Sequence, residues 1–192
     1  DGCMDARHSC AAGVPVSSAE EVAAKIAAAK AAQPAWALVP LPRRIAMLKA
    51  VCKSLAPRAD ELAALVTAEM GKVLAEAKEE ISGVVDKDDM LDQVAAANAP
   101  EQIDNGLIVR EPLGVVAVCS PWNFPADEAL LLALPALAAG NTVVIKPSEV
   151  VPLIGAEIAS ALMAGLPSEV VQLVQGDGEV GAALVGGDVQ MV

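Results

Sequence analysis

Three short segments hold most of the side chains that could do chemistry. The first is Lys146-Pro147-Ser148-Glu149, where an ammonium and a carboxylate stand three residues apart. At a strand-to-helix turn such a pair suits a ribose, the ammonium donating to its hydroxyls and the carboxylate accepting from them. A carboxylate there favours NAD over NADP, because a 2′-phosphate would meet like charge. The second segment, Gly176-Asp177-Gly178-Glu179-Val180-Gly181, removes side chains where a flat base or a phosphate could approach the backbone. Its glycine spacing departs from the G-x-G-x-x-G dinucleotide fingerprint, so the glycines alone say little.

The third segment is Ser120-Pro121-Trp122-Asn123-Phe124-Pro125. Asn123 lies between an indole and a Phe-Pro, a stiff setting for one side-chain amide. Such an amide can donate to an oxyanion as a tetrahedral centre forms. It can equally cap a helix starting near Pro125, and the residues alone leave both readings open.

Elements that must position these segments follow from periodicity. Up to about residue 105 the signals are helical. Ser18 and Glu21 form a capping box, and Val22, Ile26 and Ala29 follow at helical spacing until Pro34. A second helix is predicted from near Pro42, with Ile45, Leu48, Cys52 and Leu55 inward and an end before Pro57. A third carries Leu62, Leu65, Val66 and Met70 and stops at Gly71. A long one over 73–97 carries Ile81, Val84, Val85, Leu91 and Val94, with Asp86-Lys87-Asp88-Asp89 on its solvated face.

From 106 onward strands and helices alternate. Strands are predicted at 107–110, 115–119, 142–146 and 170–174, and the beginning of one more at 189–192. Helices are predicted at 127–139, 152–164 and 179–185. Strands separated by helices of this length imply parallel crossovers, and each chemical segment falls just after a strand, where open α/β sheets bind ligands. The expected organisation is a loose tail over 1–13, a helical part over 14–105 and a partial nucleotide-binding α/β part over 106–192.

Composition narrows the function classes. The chain has 192 residues, a net charge of −12, 55% hydrophobic residues, no Tyr, one Phe and two Trp. That charge repels nucleic acid and anionic lipid, and so few aromatics cannot build a base-stacking platform. The most apolar run, 129–139, is too short to span a bilayer and contains Pro135. Cys3, Cys10, Cys52 and Cys119 form no CxxC pair. Cys3, His8 and Cys10 lie close in sequence, but a metal there would need a fourth ligand, so no metal site is expected. The cysteine usage suits a reducing, intracellular compartment, cytoplasmic by default, with organelle targeting left open.

The ordered set Glu111-Pro112-Leu113-Gly114, Pro121-Trp122-Asn123-Phe124-Pro125, Ala138-Ala139-Gly140-Asn141-Thr142 and Lys146-Pro147-Ser148-Glu149 closely resembles the NAD(P)-dependent aldehyde dehydrogenase superfamily. The resemblance extends upstream through Ala35-Trp36, Arg44, Leu48, Glu69-Met70-Gly71-Lys72 and Glu76-Ala77, and downstream to Asp188-Val189. It implies an N-terminal helical part followed by a partial Rossmann-like parallel sheet. It also implies roles: Asn123 as the oxyanion-stabilising amide, Ser120, Pro121 and Trp122 as backbone lining the cofactor site, Lys146 and Glu149 as the ribose grip, and Gly178 and Glu179 as the turn beside the adenine. The implied reaction is oxidation of an aldehyde to a carboxylic acid with NAD, NADP being possible.

The family's cysteine nucleophile and glutamate base fall beyond Val192, and its strands before the first helix are not evident in 1–13. The expectation is therefore an N-terminal portion of a longer enzyme, inactive by itself. Cys119 neighbours the Asn123 segment but reads as a buried strand residue with no base beside it. Homo-oligomerisation, or assembly through an exposed sheet edge, is expected. A second reading is a short non-catalytic relative serving as a scaffold or subunit.

Overall fold

A computed structural model describes residues 13–192. Five helices come first: α1 (Ala19–Ala37), α2 (Leu41–Ser54), α3 (Ala59–Met70), α4 (Leu74–Val85) and α5 (Asp88–Asn98), with one 3-10 turn, Ala56–Arg58, between α2 and α3. A hairpin of β1 (Glu101–Ile103) and β2 (Gly106–Ile108) leads into β3 (Val115–Cys119), α6 (Asp127–Ala138), β4 (Thr142–Lys146), α7 (Pro152–Gly165), β5 (Val171–Leu173) and α8 (Gly178–Val185).

The capping box opens α1: the Glu21 N–H donates to Ser18 Oγ at 3.2 Å, and the Ser18 N–H donates to Glu21 Oε2 at 2.8 Å. This helix does not stop at Pro34 as its sequence suggests; it continues to Ala37. Proline forfeits one intrahelical donor, and the last turn offsets this by docking. Trp36 is 1% exposed, and its indole N–H donates to the Leu137 carbonyl at 3.0 Å.

The helix expected over 73–97 is two helices, α4 and α5, broken at Asp86 (φ −106°, ψ 83°). The expected solvated acidic face holds only in part. Lys87 pairs with Asp127 on α6, and Lys53 holds Asp88 at 2.6 Å. These pairs fix a corner that lets α5 lie against α2 and α6 with Leu91 buried.

The strand expected at 107–110 is the second arm of the β1–β2 hairpin, turned at Asp104-Asn105 and paired Glu101↔Ile108 through Ile103↔Gly106. Arg110 instead reaches back to the Ala99 carbonyl at 3.3 Å.

The central sheet is parallel, in the order β3-β4-β5, with Val115↔Thr142 through Cys119↔Lys146 and Val143↔Val171 through Ile145↔Leu173. Side chains alternate by the two-residue period of a strand. Val116, Val118, Val143 and Ile145 enter the large core with α2 to α7, while Val115, Ala117 and Val144 face Val22, Ile26 and Ala29 of α1 and Val180 and Leu184 of α8. Helices on both faces of a parallel sheet make this an α/β, Rossmann-like architecture. After α8 the chain returns past β5 and β4 to the outer edge of β3. There Gln190 N–H donates to Val115 O at 2.9 Å and Ala117 N–H to Met191 O at 2.8 Å. The strand expected at 189–192 is thus a single bridge, Val116↔Met191. Strand order reverses at β3, which makes its carboxyl end a topological switch point.

Among the described residues no helix is long and apolar enough to cross a membrane. Cys3, His8 and Cys10 lie outside the described residues.

Helix α6 ends inside the protein, and its last carbonyls are met by side chains. Gln33 Nε2 donates to Gly140 O at 3.1 Å, Trp36 to Leu137 O, and Arg44 Nε to Ala138 O at 2.9 Å. Arg44 Nη1 also donates to Ala37 O at 3.1 Å and to Val39 O. Gly140 adopts φ +96° beside that guanidinium, a conformation a side chain would strain. Arg44→Ala would strand the buried Ala138 carbonyl and the half-buried carbonyls of Ala37 and Val39. It is expected to cost about 3 kcal/mol in urea unfolding, with Arg44→Lys recovering only part of the loss because an ammonium lacks the planar fork.

Candidate functional site

The parallel register brings the three chemical segments together. Cys119 lies opposite Lys146 and Ile145 opposite Leu173, so the loops after β3, β4 and β5 leave the same sheet end side by side. The Ser120 N–H donates to Lys146 O at 3.1 Å, and the Val174 N–H to Ile145 O at 2.9 Å, continuing the ladder into the loops.

Lys146 is buried, and its ammonium ties two of these loops together. It donates to Pro147 O at 2.9 Å and Gly176 O at 2.7 Å, and lies 3.9 Å from Glu149 Oε2. An ammonium has three N–H donors, so one direction remains for a ligand on the Glu149 side. Glu149 is half-buried and its carboxylate accepts from the Ser148 hydroxyl at 3.5 Å. Donor and acceptor therefore stand together, as a ribose edge requires.

The three glycines of the 176–181 segment have different jobs. Gly176 sits at φ +146°, and a Cβ there would collide with Val180. Gly181 packs on the stem of Lys146. Gly178 borders open space and begins α8; Asp177 caps that helix by accepting from the Glu179 N–H at 2.9 Å. Glu179 is exposed beside a groove of about 460 Å³ lined by Val16, Ser17 and Asp177.

Asn123 is exposed between Trp122 (52%) and Phe124 (48%), with Pro121 exposed and Pro125 buried at the loop's two ends. The cap reading of Asn123 is overturned. Helix α6 begins after Ala126 with no side-chain cap of its own, and Asn123 makes no side-chain hydrogen bond among the described residues. The capping task falls to Glu80, whose Oε1 accepts from the Ala126 N–H at 2.9 Å and the Asp127 N–H at 3.2 Å. Ser120 is buried at the foot of this loop, and its hydroxyl has no partner among the described residues. A buried orphan hydroxyl is costly, and it suits a wall awaiting a polar ligand.

Cys119 is exposed, which corrects the expectation of a buried strand residue. Partial burial still raises its thiol pKa, only partly opposed by the Lys146 charge. Cys52, fully buried, is pushed from 9.0 to about 11 by desolvation. Neither thiol is an activated nucleophile.

Sequence reasoning missed the carboxylates under the loops. Glu69 accepts from the Leu153 and Ile154 N–H groups, both at 2.8 Å, at the start of α7. Glu80 stands on the same inward stripe as Ala77, Ile81 and Val84. A charged residue on an apolar helix face was the readable signal.

Known proteins share this fold. The aldehyde dehydrogenase family profile matches residues 3–192. The N-succinylglutamate 5-semialdehyde dehydrogenase of Novosphingobium aromaticivorans is 39% identical over 180 residues, covering 90% of this chain and 38% of that protein. The alpha-ketoglutarate semialdehyde dehydrogenase of Haloferax volcanii is 38% identical over 182 residues, covering 90% and 37%. Among solved structures, the NADP-dependent glyceraldehyde-3-phosphate dehydrogenase of Bacillus halodurans, complexed with NADP, superposes with TM-score 0.82 at 34% identity, covering 90% of this chain and 39% of that one. Lactaldehyde dehydrogenase from Escherichia coli does so with TM-score 0.82 at 36% identity, covering 90% and 38%. The chain thus spans 38% and 37% of the length of the two curated relatives.

The thiols offer a check on the site's surface. Iodoacetamide on the native chain is expected to label Cys119 at least ~10-fold faster than Cys52, a difference that urea abolishes and peptide mapping reads. Above its ordinary value of 9.0 and up to about 11, folded Cys52 keeps a proton that the unfolded chain has released. Stability is therefore expected to fall as pH rises through that window, and less so in Cys52→Ala.

Proposed function

Because this chain belongs to the aldehyde dehydrogenase family, we propose that it forms the cofactor-binding and oxyanion-stabilising part of an enzyme that oxidises an aldehyde to a carboxylic acid. NAD is the favoured cofactor and NADP the alternative; either supplies the hydride acceptor when bound. The reading rests most on one observation. An Asn123 amide that makes no side-chain hydrogen bond among the described residues stands on the loop that hydrogen-bonds the strand of the Lys146–Glu149 pair.

In this reading Lys146 donates its remaining N–H to a ribose hydroxyl, and Glu149 accepts from the neighbouring hydroxyl. Lys146 is held before any ligand arrives, since two carbonyls already pin its ammonium. Ser120, Pro121 and Trp122 line the cofactor's path, with the Ser120 hydroxyl as one polar contact. Gly178 and Glu179 border the base. The Asn123 amide donates to the oxygen of the aldehyde as that oxygen gains negative charge. Glu149 favours NAD by repelling a 2′-phosphate, while the NADP complex of the Bacillus halodurans structure supports the alternative.

A second reading is favoured by a separate observation. Neither described thiol is activated, and a groove of about 550 Å³ lined by Cys119, Leu131, Leu132, Pro135, Met191 and Val192 runs along the outer edge of β3. In that reading the chain docks through this apolar edge as a non-catalytic subunit or homo-oligomer.

Aldehyde-dependent NADH formation separates the two. The protein isolated from its own source is expected to reduce NAD with at least one of a panel of simple aldehydes and carboxylate-bearing semialdehydes. Asn123→Ala should lower kcat by roughly 100-fold or more with the NAD KM nearly unchanged. Lys146→Ala should raise the NAD KM about 10-fold. No turnover by the isolated protein on any aldehyde, with native association through the β3 edge, would favour the subunit reading instead.

A further inference from the structure

A buried ion pair lies beneath the Asn123 loop. Lys72 and Glu80 pair at 7% and 1% side-chain exposure. Glu80 Oε2 meets the Lys72 ammonium, and Oε1 accepts the Ala126 and Asp127 N–H groups. The same ammonium lies 3.9 Å from the centroid of the Phe124 ring. Three of the four residues after Asn123 are thereby tied to one pair: Phe124 by its ring, Ala126 and Asp127 by their backbone donors. On the other side, Ser120 is bonded to Lys146 O. Trp122 and Asn123 are held between two fixed points.

A second clamp serves the neighbouring loop. Glu69, at the end of α3, accepts both Leu153 and Ile154 N–H groups, immediately behind the turn that carries Lys146 and Glu149. Among the described residues Glu80 makes no hydrogen bond to the α7 start and Glu69 none to the α6 start. Burying charge is expensive, and replacing a buried pair by apolar groups is often neutral for stability. Here an acceptor is required, because the first N–H groups of each helix have no intrahelical partner.

We propose that these two carboxylates are positioning residues with separate duties. Glu80, with Lys72, holds Asn123 and so sets the rate of the aldehyde chemistry. Glu69 holds the Lys146–Glu149 turn and so sets cofactor affinity. The rate readout rests on the dehydrogenase reading above; the loop readout does not.

The test uses the protein expressed from its own coding sequence, with Glu80→Ala, Glu80→Gln, Lys72→Met, Glu69→Ala and Glu69→Gln. Initial rates give kcat and the NAD KM. Acrylamide quenching of fluorescence, taken as the difference between each protein and its Trp122→Phe counterpart, reports the Asn123 loop through Trp122, while Trp36 is shielded. Glu80→Ala should lower kcat on the order of 10- to 100-fold, leave the NAD KM within about twofold and increase quenching. Glu80→Gln should recover most of this, since its amide oxygen still accepts both N–H groups. Lys72→Met should show a kcat loss of roughly two- to fivefold. Glu69→Ala should raise the NAD KM about 10-fold with kcat and quenching as in wild type, and Glu69→Gln should reverse it.

Equal effects of Glu80→Ala and Glu69→Ala on both parameters, or no rescue by the glutamines in folded protein, would overturn the proposal. If Glu80→Ala fails to fold, wild-type kcat in both Glu80→Gln and Lys72→Met overturns it as well. If the wild-type protein oxidises no aldehyde, the dehydrogenase reading fails by itself. The quenching of Glu80→Ala and NAD titration of Glu69→Ala by calorimetry then still decide the division of duties.

Discussion

Helix α6 is buried at both ends, and the need to satisfy its terminal backbone groups organises much of what surrounds it. Four N–H groups at the start of a helix and four carbonyls at its end have no partner within it, and inside a protein water is not available to fill the gap. At the C-terminal end Gln33, Trp36 and Arg44 supply the donors. At the N-terminal end Glu80 supplies the acceptor. The helical N-terminal part is therefore more than a cover for the sheet. It provides the polar groups without which the sheet's own crossover helix could not be buried.

The same logic runs through the sheet end where the chemistry would sit. Lys146 stays buried with Glu149 as far as 3.9 Å away because two backbone carbonyls, Pro147 and Gly176, accept its N–H groups. That arrangement serves the fold and a ligand alike, since it staples the loops after β4 and β5 and leaves an ammonium beside Glu149. Asn141 does related work at the opposite sheet end. Its Oδ1 accepts from the Leu113 and Gly114 N–H groups at 2.6 and 3.0 Å, while its Nδ2 donates to Ala136 O at 3.1 Å. Several residues that carry the family resemblance, among them Trp36, Arg44, Gly140 and Asn141, thus act on backbone carbonyls and turns rather than on any substrate.

Elements that depend on local patterning were legible in sequence. The capping box of α1, the Gly71 stop of α3 and the β-branched run of β4 all arise from interactions within a few residues. The misses came where a distant contact overrode a local signal. Pro34 reads as a helix end, yet the α6 carbonyl that receives Trp36 keeps α1 going. The apolar stripe over 73–97 reads as one helix, yet Asp127 and Lys53 anchor a corner at Lys87 and Asp88. The β1 strand escaped notice because its residues are exposed and lack alternation, although Asp104-Asn105-Gly106 is a hairpin signal.

By itself the sequence determined the α/β class, the order of the strands and helices from β3 onward, and the three segments that could hold a nucleotide and an oxyanion. It could do so because amphipathic period and residue chemistry are written within each segment. Only the tertiary structure decided which strands lie side by side and in what register, that the strand order reverses at β3, and that Asn123 leaves the helix cap to Glu80. Each of those facts is a pairing between residues dozens of positions apart. Such pairings are selected by packing the whole core and by satisfying buried polar groups, and neither quantity exists until the chain has folded.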